Sequence, residues 1–377
     1  MTELADAQAA PDPEALGRSL WGDAWLRLKA NKAAMFSLFY LVAMTLVCVF
    51  GPFFSPHAYT TIYPDYVRTP PSLSPYPQQE MIQGALADVT RRMRVDMKEM
   101  KQEDGRVVFT VTSTKPFDDR NLRYIDRSDT FDDARVESKS PDGLETVISA
   151  ATMQKYFLFG TDNVGRDLFT RTLVAGRISL SIGLLAGLVA VTIGVVYGAT
   201  AGFAGGKTDE VMMRIVDVLY SLPFIFFVIM LVVFFGRNFV LMFLAVGAVL
   251  WLDMARIVRG QALSIRRQEY VQAAEAMGVS QAGILMRHVI PNLLGPVVIY
   301  MTLLVPQVIL LESFLSFLGL GVQEPMTSWG VLISAGAANI GSANWMLLYP
   351  AFFLVSTLFA LNFIGDGLRD ALDPKDR

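Results

Sequence analysis

The sequence contains very little cysteine and histidine. Among its 377 residues there is one cysteine, Cys48, and there are two histidines, His57 and His288. A single cysteine excludes an intrachain disulfide and a cysteine metal cluster, and two histidines are too few for a histidine-rich metal site. A serine–histidine–aspartate triad would need one of these histidines, and neither shares an apolar segment with a serine nucleophile. The sequence therefore predicts no catalytic, cofactor-binding or metal-binding residue.

Charged residues are also scarce, at 18% of the chain, whereas 53% of the residues are hydrophobic and the mean hydropathy is +0.41. These values are far from those of a soluble domain. A bilayer core about 30 Å thick requires roughly 20 mostly apolar residues per helix. We therefore predict an all-α polytopic membrane protein with six transmembrane helices. The candidate spans are Ala33–Phe54, Ile178–Phe203, Val218–Phe235, Phe239–Ala255, Leu293–Gly319 and Met346–Ile364.

Breaks are expected at several points in these spans. Gly236-Arg237-Asn238 separates the third and fourth candidates and predicts a tight turn between two helices. Pro223 in the third span removes one backbone hydrogen bond and favours a kink, and Pro296 and Pro306 in the fifth span have the same effect. Kinks of this kind suit helices that move, although they do not by themselves establish motion.

Lysine and arginine are distributed unevenly between the predicted loops. They are concentrated in the N-terminal segment, in the loop 256–290 and in the tail, and this bias places all three in the cytoplasm. Both termini are therefore expected to be cytoplasmic, with a segment 1–32 before the first transmembrane helix at 33–55 and a tail at 367–377. In the first segment, near-helical spacing predicts an amphipathic helix that lies either in the membrane interface or against protein. Its apolar residues are Leu16, Leu20, Trp21, Trp25 and Leu28.

Residues 56–158 differ in composition from the rest and predict a small α+β insert on the periplasmic side. Apolar and charged residues alternate on both sides of Glu103-Asp104-Gly105, which predicts a β-hairpin. The acidic and basic residues nearly balance, so a solvated surface is a simpler interpretation than a peptide-binding patch. A helix before the hairpin is predicted by the spacing of Ile82, Leu86, Val89 and Met93.

Five glycines in the second span recur at four-residue spacing in two groups. Small residues at this spacing allow helix backbones to approach closely in a membrane, although glycine is common in membrane helices in general. We predict a tight helix interface at these positions. The glycines are Gly183, Gly187, Gly194, Gly198 and Gly202.

Two carboxylates lie near the ends of candidate spans. Glu312 would cost about 2.5–3.5 kcal/mol or more at membrane depth, so it is expected to face protein or a water-filled cavity. Its role is either structural or that of a residue that lines a translocation pathway. Asp253 has Arg256 three residues later, and a local ion pair between them explains its presence without any role in transport.

The polar loop 256–291 is the segment that says most about function. Its middle has a helix-forming composition, Gly278 suits a helix stop, and Ser280 can cap a second short helix. Pro291 can then open the fifth span at a position where its missing N–H costs little. A short exposed helix with Ala274 and Gly278 on one face can enter a groove in another protein. The alternative is an inert connecting loop.

Several strings in the chain resemble one protein family. Gln272-Ala-Ala-x3-Gly278-x12-Pro291 is similar to the EAA loop of the permease subunits of bacterial ABC importers. The resemblance extends over the N-terminal region, the first span and nearly everything from Phe159 onward, while the insert lies outside it. Strings that resemble the C-type permease of dipeptide, oligopeptide and nickel importers are Gly160-Thr-Asp-Asn-Val-Gly-Arg-Asp167, Arg177-Ile-Ser-Leu, Leu315-Ser-Phe-Leu-Gly-Leu-Gly321 and Gly365-Asp-Gly-Leu-Arg-Asp-Ala-Leu-Asp-Pro374.

The resemblance implies the type I ABC importer permease fold, with a five-helix core at 159–366 that carries the cytoplasmic EAA coupling loop 256–291. It implies a permease subunit that translocates di- or oligopeptides across the bacterial inner membrane at the expense of ATP. The chain would not be an enzyme and would hold no cofactor, because ATP and Mg²⁺ would be bound by partner subunits. The expected partners are a second related permease, two cytosolic ATPase subunits, a periplasmic substrate-binding protein, the peptide and the lipid bilayer, with no nucleic acid.

The same resemblance assigns residues to the ATPase-coupling contact. They are Gln272, Ala273, Ala274 and Gly278, flanked by Glu269 and Glu275. The sequence departs from the motif by placing Gln272 where the motif has glutamate, and His288 where isoleucine is usual. The first departure removes a charge, although an amide can still form hydrogen bonds. Alternatives are nickel, glutathione or opines as cargo, or a secondary transporter, which is expected to show internal repeats and buried ion-coupling groups.

Overall fold

The computed structural model of this protein describes residues 20–103, 105–236 and 239–372. Parts of three predictions lie outside the described residues. They are the start of the N-terminal amphipathic helix with Leu16, the hairpin residue Asp104, and the turn residues Arg237 and Asn238. The end of the predicted tail, 373–377, also lies outside them.

The chain divides into two compact units. The helical unit comprises Met1–Val47, Arg177–Met326 and Phe353–Arg377, and the insert unit comprises Cys48–Gly176 and Thr327–Phe352. The helices are α1 (Leu20–Ala30), α2 (Lys32–Phe54), α3 (Gln79–Met93), α4 (Arg123–Asp126), α5 (Leu168–Ala204), α6 (Gly206–Ser221), α7 (Phe224–Phe235), α8 (Phe239–Arg266), α9 (Glu269–Ala276), α10 (Gln281–Ile284), α11 (Ile290–Phe317), α12 (Trp329–Ala338) and α13 (Trp345–Leu372). The strands are β1 (Asp96–Glu103), β2 (Arg106–Thr112), β3 (Phe131–Lys139) and β4 (Glu145–Thr152).

Among the described residues, four helices are long and apolar enough to cross a membrane. They are Lys32–Phe54, Leu168–Ala204, Gln281–Phe317 and Trp345–Leu372. They contain the predicted first, second and sixth spans, and the predicted fifth span except its last two residues, Leu318 and Gly319. These four spans are therefore confirmed as helices. A fifth span results if α6 and α7 are counted as one bent pair. The predicted fourth span, Phe239–Ala255, forms the first part of α8, and the count of six stays a prediction.

The predicted third span is wrong as a single helix. It was expected over Val218–Phe235, but α6 ends at Ser221 and α7 begins at Phe224. The axes of α6 and of Ile225–Leu231 in α7 differ by 85°. The break has a local cause, because Pro223 disfavours the helical conformation of the residue before it, and Leu222 is extended with ψ of 131°.

The glycines of α5 lie against two neighbouring helices of the helical unit. Gly183 faces α11, where an added Cβ would lie 2.9 Å from a side-chain carbon of Ile309. Gly194 and Gly202 face α8, and a Cβ on Gly202 would lie 2.6 Å from the carbonyl oxygen of Arg259. Distances this short exclude any larger side chain without movement of a helix backbone. The predicted tight interface is therefore confirmed at four of the five glycines, and it involves two neighbouring helices. At Gly187 an added Cβ would lie 3.5 Å from Val305, which is an ordinary contact distance.

The insert unit contains a four-stranded sheet in the order β1-β2-β4-β3, in which all neighbours are antiparallel. Glu103 pairs with Arg106 across a turn in which Gly105 has a φ of +76°, so the predicted hairpin is confirmed. The predicted helix is α3, whose apolar residues pack into the core of the sheet. This core includes Ile82, Leu86, Val89, Met93, Val107, Phe109, Val111, Phe131 and Ile148.

The described part of the N-terminal amphipathic helix is α1. Ala24 and Leu28 are buried in a cluster with Ala34 of α2 and Ala371 of α13. The two tryptophans of α1 are 50% and 44% exposed. One face of α1 thus packs on protein within the helical unit, while the aromatic face stays open, as contact with the membrane interface would require.

Candidate coupling site

The predicted coupling segment forms a short helix, α9, between α8 and α10. α8 ends at Arg266, and two residues later α9 begins at Glu269. Val271 and Ala274 are buried, and they hold one face of α9 against the chain. The other face is exposed, as predicted for a contact with another protein. It presents Glu269, Gln272, Ala273 and Glu275, and Gly278 is exposed just beyond the end of the helix.

Ala274 differs from the other predicted coupling residues. It is 2% exposed, so its methyl group supports α9 from inside the chain and does not reach the outer face. The interpretation that Ala274 and Gly278 form one outward face is wrong for Ala274. α9 ends at Ala276 and Gly278 has a left-handed conformation, so the helical spacing that would place both residues on one face does not extend to Gly278. The remaining coupling residues are brought together at the surface, and their role stays a prediction.

Gly278 ends α9 by a specific hydrogen-bonding pattern. Its φ is +80°, in the left-handed region that favours glycine. The Gly278 amide donates to the carbonyl oxygen of Glu275 at 3.0 Å, and the Val279 amide donates to that of Ala274 at 3.1 Å. This pair of bonds is a Schellman motif, so the predicted helix stop is confirmed. A Cβ at Gly278 would meet no atom of the chain within 4 Å, and the neighbouring Met277 is 77% exposed.

The next helix, α10, begins at Gln281, three residues after Gly278. Ser280 caps α10, since its hydroxyl oxygen accepts a hydrogen bond from the Gly283 amide at 3.2 Å. α10 then passes through a π-helical segment, Leu285–Val289, into α11. The predicted cap is confirmed. Pro291 lies in the first turn of α11, but it does not open the fifth span as predicted, because the helix already begins at Gln281. The expectation of a separate short helix is wrong, because the π-helical segment carries the helix on from Gln281 to Phe317.

Both departures from the EAA motif have local partners. The side-chain amide of Gln272 donates to the carbonyl oxygen of Arg267 at 3.3 Å. A glutamate could not make this bond, because an ionised carboxylate only accepts hydrogen bonds. The ring of His288 lies 6.5 Å from the ring of Tyr270, centroid to centroid. Gln272 therefore supports the connection between α8 and α9, in addition to facing outward.

Glu312 is fully buried in α11 and faces protein. The hydroxyl group of Ser316 donates to its Oε1 at 2.7 Å. Gly321 packs so closely on Ser316 that a Cβ would clash with it. Gly321, at the end of the string Leu315–Gly321, thus packs on Ser316, and Ser316 binds Glu312. These contacts explain the string by its role in the fold.

The string Gly160–Asp167 forms a compact turn in the insert unit. Oδ1 of Asp162 accepts hydrogen bonds from the amides of Val164 and Arg166, both at 2.9 Å. Asp167 receives two from Thr170, at 2.7 Å from the amide and 2.6 Å from the hydroxyl group. Burial raises the pKa of the Asp167 carboxyl group, and these hydrogen bonds oppose the shift. The string therefore caps the start of α5.

Two ion pairs between α6 and α8 were not predicted. Arg259 binds Asp209, and Arg256 binds Asp217 at 2.9 Å. The predicted local pair between Asp253 and Arg256 is wrong, because the guanidinium group of Arg256 is directed to α6. No local spacing indicates these pairs, because their partners lie 39 and 50 positions apart in the sequence.

Comparison with known proteins places the chain in a family. Residues 194–377 match the family described as "Binding-protein-dependent transport system inner membrane component". Residues 19–71 match the "N-terminal TM domain of oligopeptide transport permease C". The oligopeptide transport system permease protein OppC of Escherichia coli (strain K12) is 60% identical over 229 residues, which cover 61% of this chain and 76% of that protein. This chain belongs to the binding-protein-dependent transport permeases.

Two relatives from Bacillus subtilis (strain 168) align over more of this permease. Its OppC is 35% identical over 380 residues, covering 100% of this chain and 97% of its own. Its dipeptide transport system permease protein DppC is 37% identical over 356 residues, covering 94% and 86%. The expectation that the insert lies outside the family resemblance is therefore wrong, since the alignment with OppC includes it.

The MetNI methionine ABC transporter, in inward-facing conformations, is a structural neighbour of this permease. It has a TM-score of 0.44 and 19% sequence identity, and the match covers 54% of this chain and 96% of that chain. Family membership makes the chain a multi-pass inner-membrane component and a transport permease subunit rather than a catalytic one.

Proposed function

We propose that this permease translocates di- or oligopeptides across the bacterial inner membrane as one subunit of an ATP-driven importer. The observation that carries the proposal is α9, a short helix that is held from inside by Val271 and Ala274 and exposed on its other face. Its end at Gly278 leaves open space beside an exposed Met277. The relatives named as oligopeptide and dipeptide permeases supply the cargo class.

The proposed complex contains a second related permease, two cytosolic ATPase subunits and a periplasmic substrate-binding protein. ATP and Mg²⁺ are bound by the ATPase subunits, and α9 fits into a groove on one of them. When the ATPase subunits close, they push α9. α8 on one side and the continuous helix from Gln281 on the other carry this push into the membrane. The peptide then passes by alternating access, for which no residue of this chain needs to react.

We propose six transmembrane helices, with α6 and α7 together as a broken third span and the first part of α8 as the fourth. Both termini and α9 lie in the cytoplasm, and the sheet of the insert unit lies in the periplasm. The distribution of lysine and arginine supports this orientation. Glu312 would line the translocation pathway only if its buried carboxylate became accessible during the transport cycle.

The test is peptide uptake into proteoliposomes that contain the purified complex and the binding protein. We expect uptake with ATP and Mg²⁺ on the side of the ATPase subunits, and none with a non-hydrolysable ATP analogue. Matched vesicles that lack this chain but contain the other subunits are the control, and they should take up no peptide. Equal uptake without ATP, or by this chain alone, would contradict the proposal and favour a secondary transporter. Nickel, glutathione or an opine in place of the peptide tests the alternative cargoes.

A further inference from the structure

An ion pair between a buried aspartate and a partly exposed arginine joins α6 to α8. Nε of Arg259 lies 2.5 Å from Oδ1 of Asp209, and Nη2 lies 2.6 Å from Oδ2. Asp209 is 8% exposed. Two parallel hydrogen bonds between a guanidinium group and a carboxylate fix the relative orientation of both groups, in addition to their distance. The contact therefore defines how the first turn of α6 lies on α8.

A second ion pair continues the same contact two turns later along α6. Nη2 of Arg256 lies 2.9 Å from Oδ1 of Asp217. The guanidinium carbon of Arg256 also lies 4.3 Å from the ring centroid of Tyr220. Both side chains of this pair are substantially exposed, so its energetic contribution is small. Its position nevertheless gives α6 two points of attachment to α8.

Both ends of α6 have a conformation that allows the helix to pivot. Before it, Gly205 and Gly206 have φ values of +66° and +56°. After it, Leu222 is extended and Pro223 interrupts the helical hydrogen bonds. A helix with such breaks at both ends can change its angle without unwinding. Its attachment to α8 therefore determines its orientation.

The attachment lies close to the coupling helix. Arg259 is in the C-terminal part of α8, and α8 ends seven residues later at Arg266. The connection to α9 is short and hydrogen-bonded: the Gln268 amide donates to the carbonyl oxygen of Ile265 at 3.0 Å, and Gln272 binds Arg267. A displacement of α9 is thus passed on to the part of α8 that holds α6.

We propose that Asp209 and Arg259 are positioning residues that transmit the movement of α9 to α6, which turns between Gly205–Gly206 and Leu222–Pro223. This inference rests on the proposed coupling role of α9. Because the Arg259 side chain is partly exposed, solvent screens the attraction between the two charges, and the pair contributes little to stability through charge alone. A bidentate pair supplies what transmission needs, which is a fixed direction.

The test is the ratio of peptide transported to ATP hydrolysed by the reconstituted complex. Asp209→Asn and Arg259→Gln should each lower this ratio by about tenfold or more. The double variant should be no worse than either single variant, because both remove the same contact. Glu145→Gln, which removes the exposed pair with Lys98 in the insert unit, is the control and should leave the ratio unchanged. An unchanged ratio in the Asp209 and Arg259 variants, or reductions that multiply in the double variant, would overturn the inference.

Two further experiments test the inference if the first one fails. If the neutral variants fail to assemble, Arg259→Lys retains the charge but loses the bidentate geometry, and it should still lower the ratio about threefold. If the parent complex transports no peptide, spin labels at Arg214→Cys of α6 and Gln281→Cys of α10 test the transmission alone, since Cys48 is fully buried. Their distance should stay fixed when ATP binds in the parent and should change in Arg259→Gln. The same ATP-dependent change in both would overturn the inference.

Discussion

Gly202 of α5 lies directly against the backbone of Arg259 in α8, so that a Cβ on Gly202 would come within 2.6 Å of the Arg259 carbonyl oxygen. The side chain of the same arginine holds Asp209 of α6. A single residue of α8 thus contacts α5 through its backbone and α6 through its side chain. Three helices of the helical unit meet at this point.

Gly202→Leu should destabilise the permease, because the larger side chain must push α5 away from α8. Overpacking of this kind typically costs about 1–3 kcal/mol. The measurement is the thermal unfolding midpoint of the purified protein in detergent. Gly260→Ala in α8 is the matched control, since a Cβ there would meet no atom within 4 Å, and its midpoint should not fall. Equal midpoints for Gly202→Leu and the parent would contradict the close approach of the two helices.

Gly278→Arg should uncouple ATP hydrolysis from transport. The structure offers open space at this position within the chain, so the added side chain would collide with the ATPase subunit rather than with the permease. The number of peptides transported per ATP should fall at least tenfold in reconstituted complexes. Gly278→Asn is the control for the backbone, because asparagine tolerates the left-handed conformation and should retain most of the coupling. Near-normal transport by Gly278→Arg would show that α9 does not enter a groove.

Gln272→Glu should have only a small effect, although it restores the residue of the family motif. The variant loses the hydrogen bond to Arg267 and places a carboxylate beside a carbonyl oxygen. For an exposed bond the cost should be about 0.5–1.5 kcal/mol. Peptide uptake should remain within about twofold of the parent, since the contact of α9 depends on shape more than on charge. A severalfold gain in uptake would indicate instead that the ATPase groove requires an acidic residue.

Asp167→Asn should change how stability depends on pH. Burial raises the folded-state pKa of Asp167 above its ordinary value of 3.8, so the folded protein binds this proton more tightly than the unfolded chain does. The stability from this group is fully present below the unfolded pKa and is lost as pH rises through the folded pKa. Asparagine does not titrate. The unfolding midpoint of the variant, relative to the parent, should therefore rise from acid to neutral pH, and a constant difference would contradict the raised pKa.

Local sequence signals predicted the elements that depend on a few neighbouring residues. Gly278 as a helix stop, the cap at Ser280 and the hairpin around Gly105 follow from backbone conformations that only certain residues adopt easily. The glycine spacing in α5 predicted a tight interface for the same reason, since the absence of a side chain is visible in the sequence. These predictions required no knowledge of distant parts of the chain.

Features that depend on distant residues were missed or misjudged. Asp209 and Arg259 are fifty positions apart, and no local pattern links them. The burial of Ala274 depends on which face of α9 packs on the chain, which its small side chain does not indicate. β3 was not predicted, because acidic residues such as Asp132 and Asp133 interrupt the alternation of apolar and polar residues that is typical of a strand. The predicted third span included the last residues of α6 because those residues are apolar.

The most direct test of the whole account is the steady-state concentration of peptide inside vesicles that contain the complete complex and the binding protein. Ionophores that dissipate proton and sodium gradients should be present, so that ATP is the remaining energy source. The account predicts that internal peptide rises well above the external concentration when ATP is supplied, and that Gly278→Arg abolishes this accumulation. Internal peptide that never exceeds the external concentration, or accumulation that disappears with the ionophores, would contradict it.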